Sequence, residues 1–340
     1  MPVDRDVLAV TGAPGEDEER RAAAEAEPDR PVLLVLRALG LGDLLTGVPS
    51  LRGLRRAFPG HRLVLAAPAS LAPLLPLIGG VDGLLDVRGL GPIPAYRPHI
   101  AVNLHGRGPR SIAALLAVRP QRLLSHAHPA FPGVLGPRWP DRVHEVRRWC
   151  AMLAWHGVSA DPADLRIAAP RTTPFDSPDR PVVIHPGASA GGRRWPAERF
   201  AEVATALRRD GHPIVVTGNG TERDLARRVA ASAGLPDGAV LAGRTRLAEL
   251  AGVVAHARLV ISGDTGVAHL ATALETPSVV LCGPVSPELW GPPSGSRRHV
   301  ALWAGESGDP HAAEPGPGLL KITVRQVLDA ARDRLEVGIR

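Results

Sequence analysis

Short, continuously apolar runs recur along the chain, and most lead through a turn into a helical pattern. The first is VLLVL (32–36), followed by RLVLAA (62–67), GLLDV (83–87), HIAVNL (99–104) and QRLLS (121–125). Unbroken apolar runs of this length suit strands buried on both faces, as in parallel sheets. The first intervening helix carries Leu44, Val48, Leu51 and Leu54 near a 3.6-residue period and ends at Phe58-Pro59-Gly60. Strand–helix alternation of this kind predicts a doubly wound parallel sheet.

The pattern then stops and starts again. Residues 127–140 are rich in Pro and Gly, an amphipathic helix is expected at about 141–157, and prolines stand at 162, 170, 174 and 178. Strands resume with PVVIHPG (181–187), PIVVTG (213–218), a short one near 239–241, LVISG (259–263) and SVVLCG (278–283), with helices expected at 197–209, 222–233, 246–256 and 266–275. The organisation expected is a disordered leader (1–30), a first Rossmann-like domain (31–158) and a linker (159–180). A second Rossmann-like domain (181–322) and a C-terminal helix (323–340) follow. Two such domains leave a cleft between them, with ligands outside the carboxyl ends of the strands.

Charge and composition exclude several classes. The net charge is +6, but residues 1–30 carry −5 and the remainder +11. A basic body suits an anionic partner. All but one of the basic residues are arginine, the exception being Lys321, which with abundant Ala, Gly and Pro reads as codon bias. Aromatics are only 3%, too few to interleave with the arginines as stacking platforms for nucleic acid. Cys150 and Cys282 stand far apart, which excludes a disulfide scaffold or cysteine zinc site and fits a reducing compartment. No apolar run approaches the ~20 residues of a membrane span, and the N-terminus lacks the pattern of a secretory signal.

Four post-strand turns carry residues suited to chemistry. Gly40-Leu41-Gly42-Asp43 opens the first helix; Asp43 is an N-terminal cap or a general base facing the cleft. His185-Pro186-Gly187-Ala188-Ser189 leads to Gly191-Gly192-Arg193-Arg194-Trp195-Pro196, a glycine-rich loop whose arginines suit a diphosphate. Gly218-Asn219-Gly220-Thr221-Glu222 offers either a helix cap or a carboxylate for ribose hydroxyls. Ser262-Gly263-Asp264-Thr265-Gly266-Val267-Ala268-His269 places permissive backbone before a helix N-terminus, a ready anion site, with simple capping by Asp264 or Thr265 as the plainer alternative. Neither GxGxxG nor a Walker lysine is present.

Together LGLGD, HPGAS…RRWP, TGNGTERDLA, ISGDTGVAHLATAL and LCGPVSPELWGPP resemble glycosyltransferase family 9, the ADP-heptose:lipopolysaccharide heptosyltransferases, with the two-domain GT-B fold. The resemblance implies that residues 31–158 bind the acceptor and 181–322 the donor, with a catalytic role for Asp43 and donor contacts from Arg193, Glu222, Asp264, Thr265, Gly266 and His269. Arg193 stands where that family usually has lysine. Asn103-Leu104-His105-Gly106 resembles the first domain's Asp-Leu-His-Gly turn with Asn103 for aspartate, making His105 and Arg107 acceptor-side candidates.

The expectation is an inverting, metal-independent transfer of a sugar, heptose by family default, from a nucleoside-diphosphate donor such as ADP-heptose. The acceptor would be a glycan, glycolipid or small molecule. No cofactor or metal site is expected; the partners are the nucleotide sugar and the acceptor, without nucleic acid. The enzyme is expected to be a cytoplasmic monomer, with peripheral contact at the inner membrane face left open. The alternatives are a catalytically silent nucleotide-sugar or glycan-binding protein and a nucleotide-dependent oxidoreductase.

Overall fold

The computed structural model describes residues 30–94, 97–170 and 180–337. The acidic leader up to residue 29, and residues 171–179 of the proline-rich segment, lie outside the described residues. The first sheet contains β1 (Val32–Leu36), β2 (Arg62–Ala67), β3 (Gly83–Asp86), β4 (Ile100–Asn103) and β5 (Arg122–Leu124), all parallel, in the order β3-β2-β1-β4-β5. The second contains β6 (Val182–His185), β7 (Ile214–Val216), β8 (Leu259–Gly263), β9 (Ser278–Cys282) and β10 (His299–Trp303), also parallel, in the order β10-β9-β8-β6-β7. Strand order reverses between β1 and β4 in one sheet and between β6 and β8 in the other. A crevice opens at such a reversal because successive helices leave toward opposite faces.

Five helices matter below: α1 (Leu41–Thr46), α2 (Val48–Ala57), α3 (Glu145–Trp155), α4 (Gly266–Ala273) and α5 (Val324–Val337). The expected single helix after β1 is two, broken at Gly47, because Pro49 at the start of α2 has no amide to continue the ladder. α3 is shorter than the expected 141–157; His144 caps it, its Nδ1 accepting from the Val146 amide at 3.3 Å. The strand expected near 239–241 reduces to one bridge between Val216 and Val240. β10, which alternates weakly and contains His299 and Trp303, was not anticipated.

Leu34, Val35 and Leu36 of β1 and Val182, Val183 and Ile184 of β6 are fully buried, as continuous apolar strands covered on both faces should be. α5 returns to the second sheet, with Val327 and Ala331 buried in the same cluster as Val182, Ile184 and Leu281. A second cluster crosses between the halves: Leu44, Leu45 and Val48 share it with Val254, Val267 and Leu270. Residues 167 and 168 of the expected linker are packed against both halves. The Ile167 amide donates to Ala273 O at 2.8 Å and the Ala168 amide to Leu77 O at 2.9 Å, so this stretch touches both halves.

Candidate functional site

The candidate residues lie on the carboxyl edges of the two sheets, at the two strand-order reversals. At the first, β1 runs into Arg37 and then α1. The Gly40 backbone is ordinary extended chain, φ −81° and ψ −175°, so no unusual turn requires glycine there. Gly42 is required by contact: a β-carbon on it would stand 2.8 Å from His269 Cδ2 of the second domain. Gly266 is its counterpart, since a β-carbon there would stand 2.8 Å from Leu41 Cβ. α1 and α4 thus meet through two glycines, and Asp43 follows Gly42 directly.

Asp43 is the third residue of α1 rather than its cap. Its Oδ2 accepts from the Gly40 amide at 3.2 Å, the return half of a capping box. Oδ1 lies 3.8 Å from Arg37 Nη2, and 26% of the side chain remains open to solvent. The carboxylate therefore does local structural work and still presents an oxygen outward.

β4 ends at Asn103, which is fully buried. Its Nδ2 lies near Gly106 O, Ser111 Oγ and Ser125 Oγ at 3.0–3.2 Å, and its Oδ1 accepts from the His105 amide at 3.2 Å. An amide, with donors and an acceptor, organises this turn in a way a carboxylate would not. Burial, then the nearby Arg37 charge, push the His105 ring below its usual range, while Asp43 opposes the shift. His105 Nδ1 is buried without a partner. Arg107 is exposed on the same turn.

On the donor side, His185 ends β6. Its Nδ1 lies 3.0 Å from Thr217 Oγ1, and burial pushes the ring's pKa below its usual range against the pull of Glu222. Glu222 is buried; its Oε2 accepts from the Asn219 amide at 2.8 Å, while Asn219 Oδ1 accepts from Thr221 and Glu222 amides. The Glu222 carboxylate also packs over Gly187, where any β-carbon would overlap it. The capping role is real, and it holds the carboxylate beside the loop that follows β6.

β8 ends at Gly263, and α4 begins at Gly266 with Thr265 as its cap residue. No side chain caps α4, so the simple capping alternative fails for both Asp264 and Thr265. Asp264 is 5% exposed and its Oδ1 lies 3.7 Å from His269 Nε2. Arg193 closes the junction: Nη1 donates to Asp264 O at 3.4 Å and Nη2 donates to Ser189 Oγ. The His269 ring meets the edge of Trp290 at 5.4 Å. Four polar atoms at this junction are buried without a hydrogen-bond partner: Arg193 Nε, Ser262 Oγ, Thr265 Oγ1 and His269 Nε2. Native structures leave few such atoms, and a cluster marks a place where a polar ligand completes them.

The structure thus brings Arg193, Asp264, Thr265, Gly266 and His269 to one junction, sets Glu222 on the same sheet edge, and groups Asp43 and His105 around Arg37. Ser189 and Ser262 entered the sequence reading only as members of their turns, and Trp290, Glu145 and Arg37 were not singled out. A lone charge ending an apolar strand is the one signal that marks Arg37. Among the described residues, no group of three or more His, Cys, Asp or Glu could hold a metal ion, and no helix is long and apolar enough to cross a membrane.

Comparison with known proteins addresses the family. The profile of glycosyltransferase family 9 (heptosyltransferase) matches residues 144–314, half of the chain. Lipopolysaccharide heptosyltransferase 2 of Salmonella typhimurium is 32% identical over 173 residues, 48% of this chain and 49% of that protein. The chain spans about half the length of the curated relatives it matches. The glycosyl transferase family 9 structure from Veillonella parvula superposes with a TM-score of 0.74 at 22% identity, covering 92% of this chain and 99% of its own. E. coli ADP-heptose lps heptosyltransferase II superposes with a TM-score of 0.72 at 22% identity, covering 91% and 100%. These likenesses show the GT-B fold of two Rossmann-like domains, including the first sheet, which lies outside the profile match. The chain belongs to glycosyltransferase family 9.

Proposed function

We propose that this chain is an inverting glycosyltransferase that moves a heptose from ADP-heptose to a lipopolysaccharide-type or other glycan acceptor. The observation that carries the reading is the uncapped start of α4 with its cluster of unpartnered polar atoms. A helix N-terminus with open amides, a guanidinium and buried hydroxyls suits a diphosphate. Relatives named as heptosyltransferases support the sugar and nucleotide.

In this reading Arg193, Asp264, Thr265, Gly266 and His269 hold the donor, with Glu222 on the nucleoside. The acceptor oxygen attacks the anomeric carbon as the bond to the diphosphate oxygen breaks, and Asp43 takes the acceptor proton. Negative charge developing on the leaving diphosphate is met by Arg193 and the first turn of α4, which supply the positive end without a metal. His105 and Arg107 line the acceptor side. Residues 31–158 and 181–322 serve acceptor and donor, joined by 159–180. The setting is cytoplasmic, as a single chain, where the acceptor meets the membrane face.

The test is a thermal-shift panel of nucleotide sugars on purified protein. ADP-heptose and ADP should raise the melting temperature, because a ligand bound only by the folded state stabilises it. A panel in which UDP- or GDP-sugars shift it and ADP-heptose does not would overturn the donor assignment.

A further inference from the structure

The function just proposed uses Asp43 but leaves unexplained the arginine beneath it. Arg37 is 1% exposed. Burying a guanidinium is costly unless its donors are met, and here each of its three nitrogens has a partner. Nε donates to Asp43 O and Nη1 to Leu104 O. Nη2 donates to Thr46 Oγ1 at 2.9 Å and to Glu145 Oε1 at 3.2 Å, and stands 3.8 Å from Asp43 Oδ1. Three separate elements are tied by one side chain: α1, the turn after β4 that carries His105, and the first turn of α3.

We propose that Arg37 is the positioning residue of the transfer step, holding Asp43 and the His105 turn in register with each other. The proposal rests on the reading of Asp43 as the base.

Two features favour it over a merely structural ion pair. First, α1 has only six residues, too few to persist alone. Arg37 takes its Asp43 carbonyl and its Thr46 hydroxyl, and lies under Gly47, where a β-carbon would come within 3.1 Å of Arg37 Cδ. The helix that carries the carboxylate is therefore held from below by this one side chain. Second, the charge is not cancelled by its partner. Glu145 also pairs with Arg148 and accepts from Trp149 Nε1 at 2.6 Å. One carboxylate shared between two guanidiniums leaves positive charge to face Asp43. The Trp149 ring, 5.5 Å from the Arg37 guanidinium, closes the remaining side.

The experiment pairs Arg37→Met with Glu145→Gln, so that no lone carboxylate is left buried and the protein can fold. ADP affinity by calorimetry should stay within about twofold of wild type. Turnover of ADP-heptose with heptose-deficient lipopolysaccharide should fall about 100-fold in kcat, the scale of a misplacement of about 1 Å. Arg37→Lys, which keeps a cation but not the fork, should recover part of that loss. Hydrogen exchange of the residue 41–47 amides should quicken in the double variant while that of residues 266–273 does not change. Wild-type turnover in the double variant, or unchanged exchange over 41–47, overturns the proposal. Full turnover by Asp43→Asn would instead sink the base reading, and the exchange measurement would still decide whether Arg37 holds α1.

Discussion

The two strand-order reversals are built in opposite ways. At the first, each nitrogen of Arg37 has a partner and the Asp43 carboxylate is engaged by the Gly40 amide. At the second, α4 starts without a side-chain cap, and Arg193 Nε, Ser262 Oγ, Thr265 Oγ1 and His269 Nε2 lack partners. Among the described residues around Arg37, only His105 Nδ1 and Arg148 Nε are left open; the second junction leaves four such atoms, which in the proposed function the donor completes. A group that must take a proton benefits from being fixed in advance, because misplacement raises the barrier directly. A site that captures and releases a diphosphate needs open donors, whose desolvation cost the ligand offsets.

This contrast can be broken by experiment. The largest effect is expected from Asp43→Ala. Transfer should be lost by 10³-fold or more, near the upper range of general base catalysis at about 10⁴, while ADP binding measured by calorimetry stays nearly intact. Retained turnover would remove the reason for a preorganised first junction. Next comes Arg193→Ala, which removes a charged hydrogen-bonding partner and should weaken ADP by about 10–100-fold, from roughly 1.5–3 kcal/mol. An unchanged dissociation constant would mean that the open junction does not receive the diphosphate.

The smallest effect is also the sharpest discriminator. Thr46 Oγ1 accepts from Arg37 and donates to Asp43 O at 3.0 Å, whereas Thr265 Oγ1 has no partner. Thr46→Val should destabilise the free protein by about 1 kcal/mol, the net worth of a satisfied bond. Thr265→Val should leave the free protein's melting temperature unchanged or raised, and weaken ADP severalfold. If both threonine variants destabilise alike, the two junctions do not differ as described.

Much of this molecule was legible from local pattern. An apolar run such as VLLVL or LVISG, a turn and an amphipathic helix declare a parallel strand wherever they occur, and both sheets follow from them. What the motif glycines admit was not legible in the sequence. Gly42 serves less to turn the chain than to admit His269, a contact between residues on different domains. The plainer reading of Asp264 and Thr265 as caps was as consistent with spacing as the ligand reading; only the observed geometry of α4 separates them. β10 was passed over although Val300-Ala301-Leu302-Trp303 is itself a short apolar run.

By itself the amino-acid order determined the two parallel sheets, the edge on which chemistry gathers and the residue types available there. These properties depend on neighbours within a few residues, whose periodicity and turn preferences are written locally. Tertiary structure alone decided which side chains meet. Arg37 and Glu145 lie 108 positions apart and still share a hydrogen bond, and Gly42 meets a histidine from the other domain. Such pairings arise from how packed layers close on one another, and no spacing along the chain encodes them.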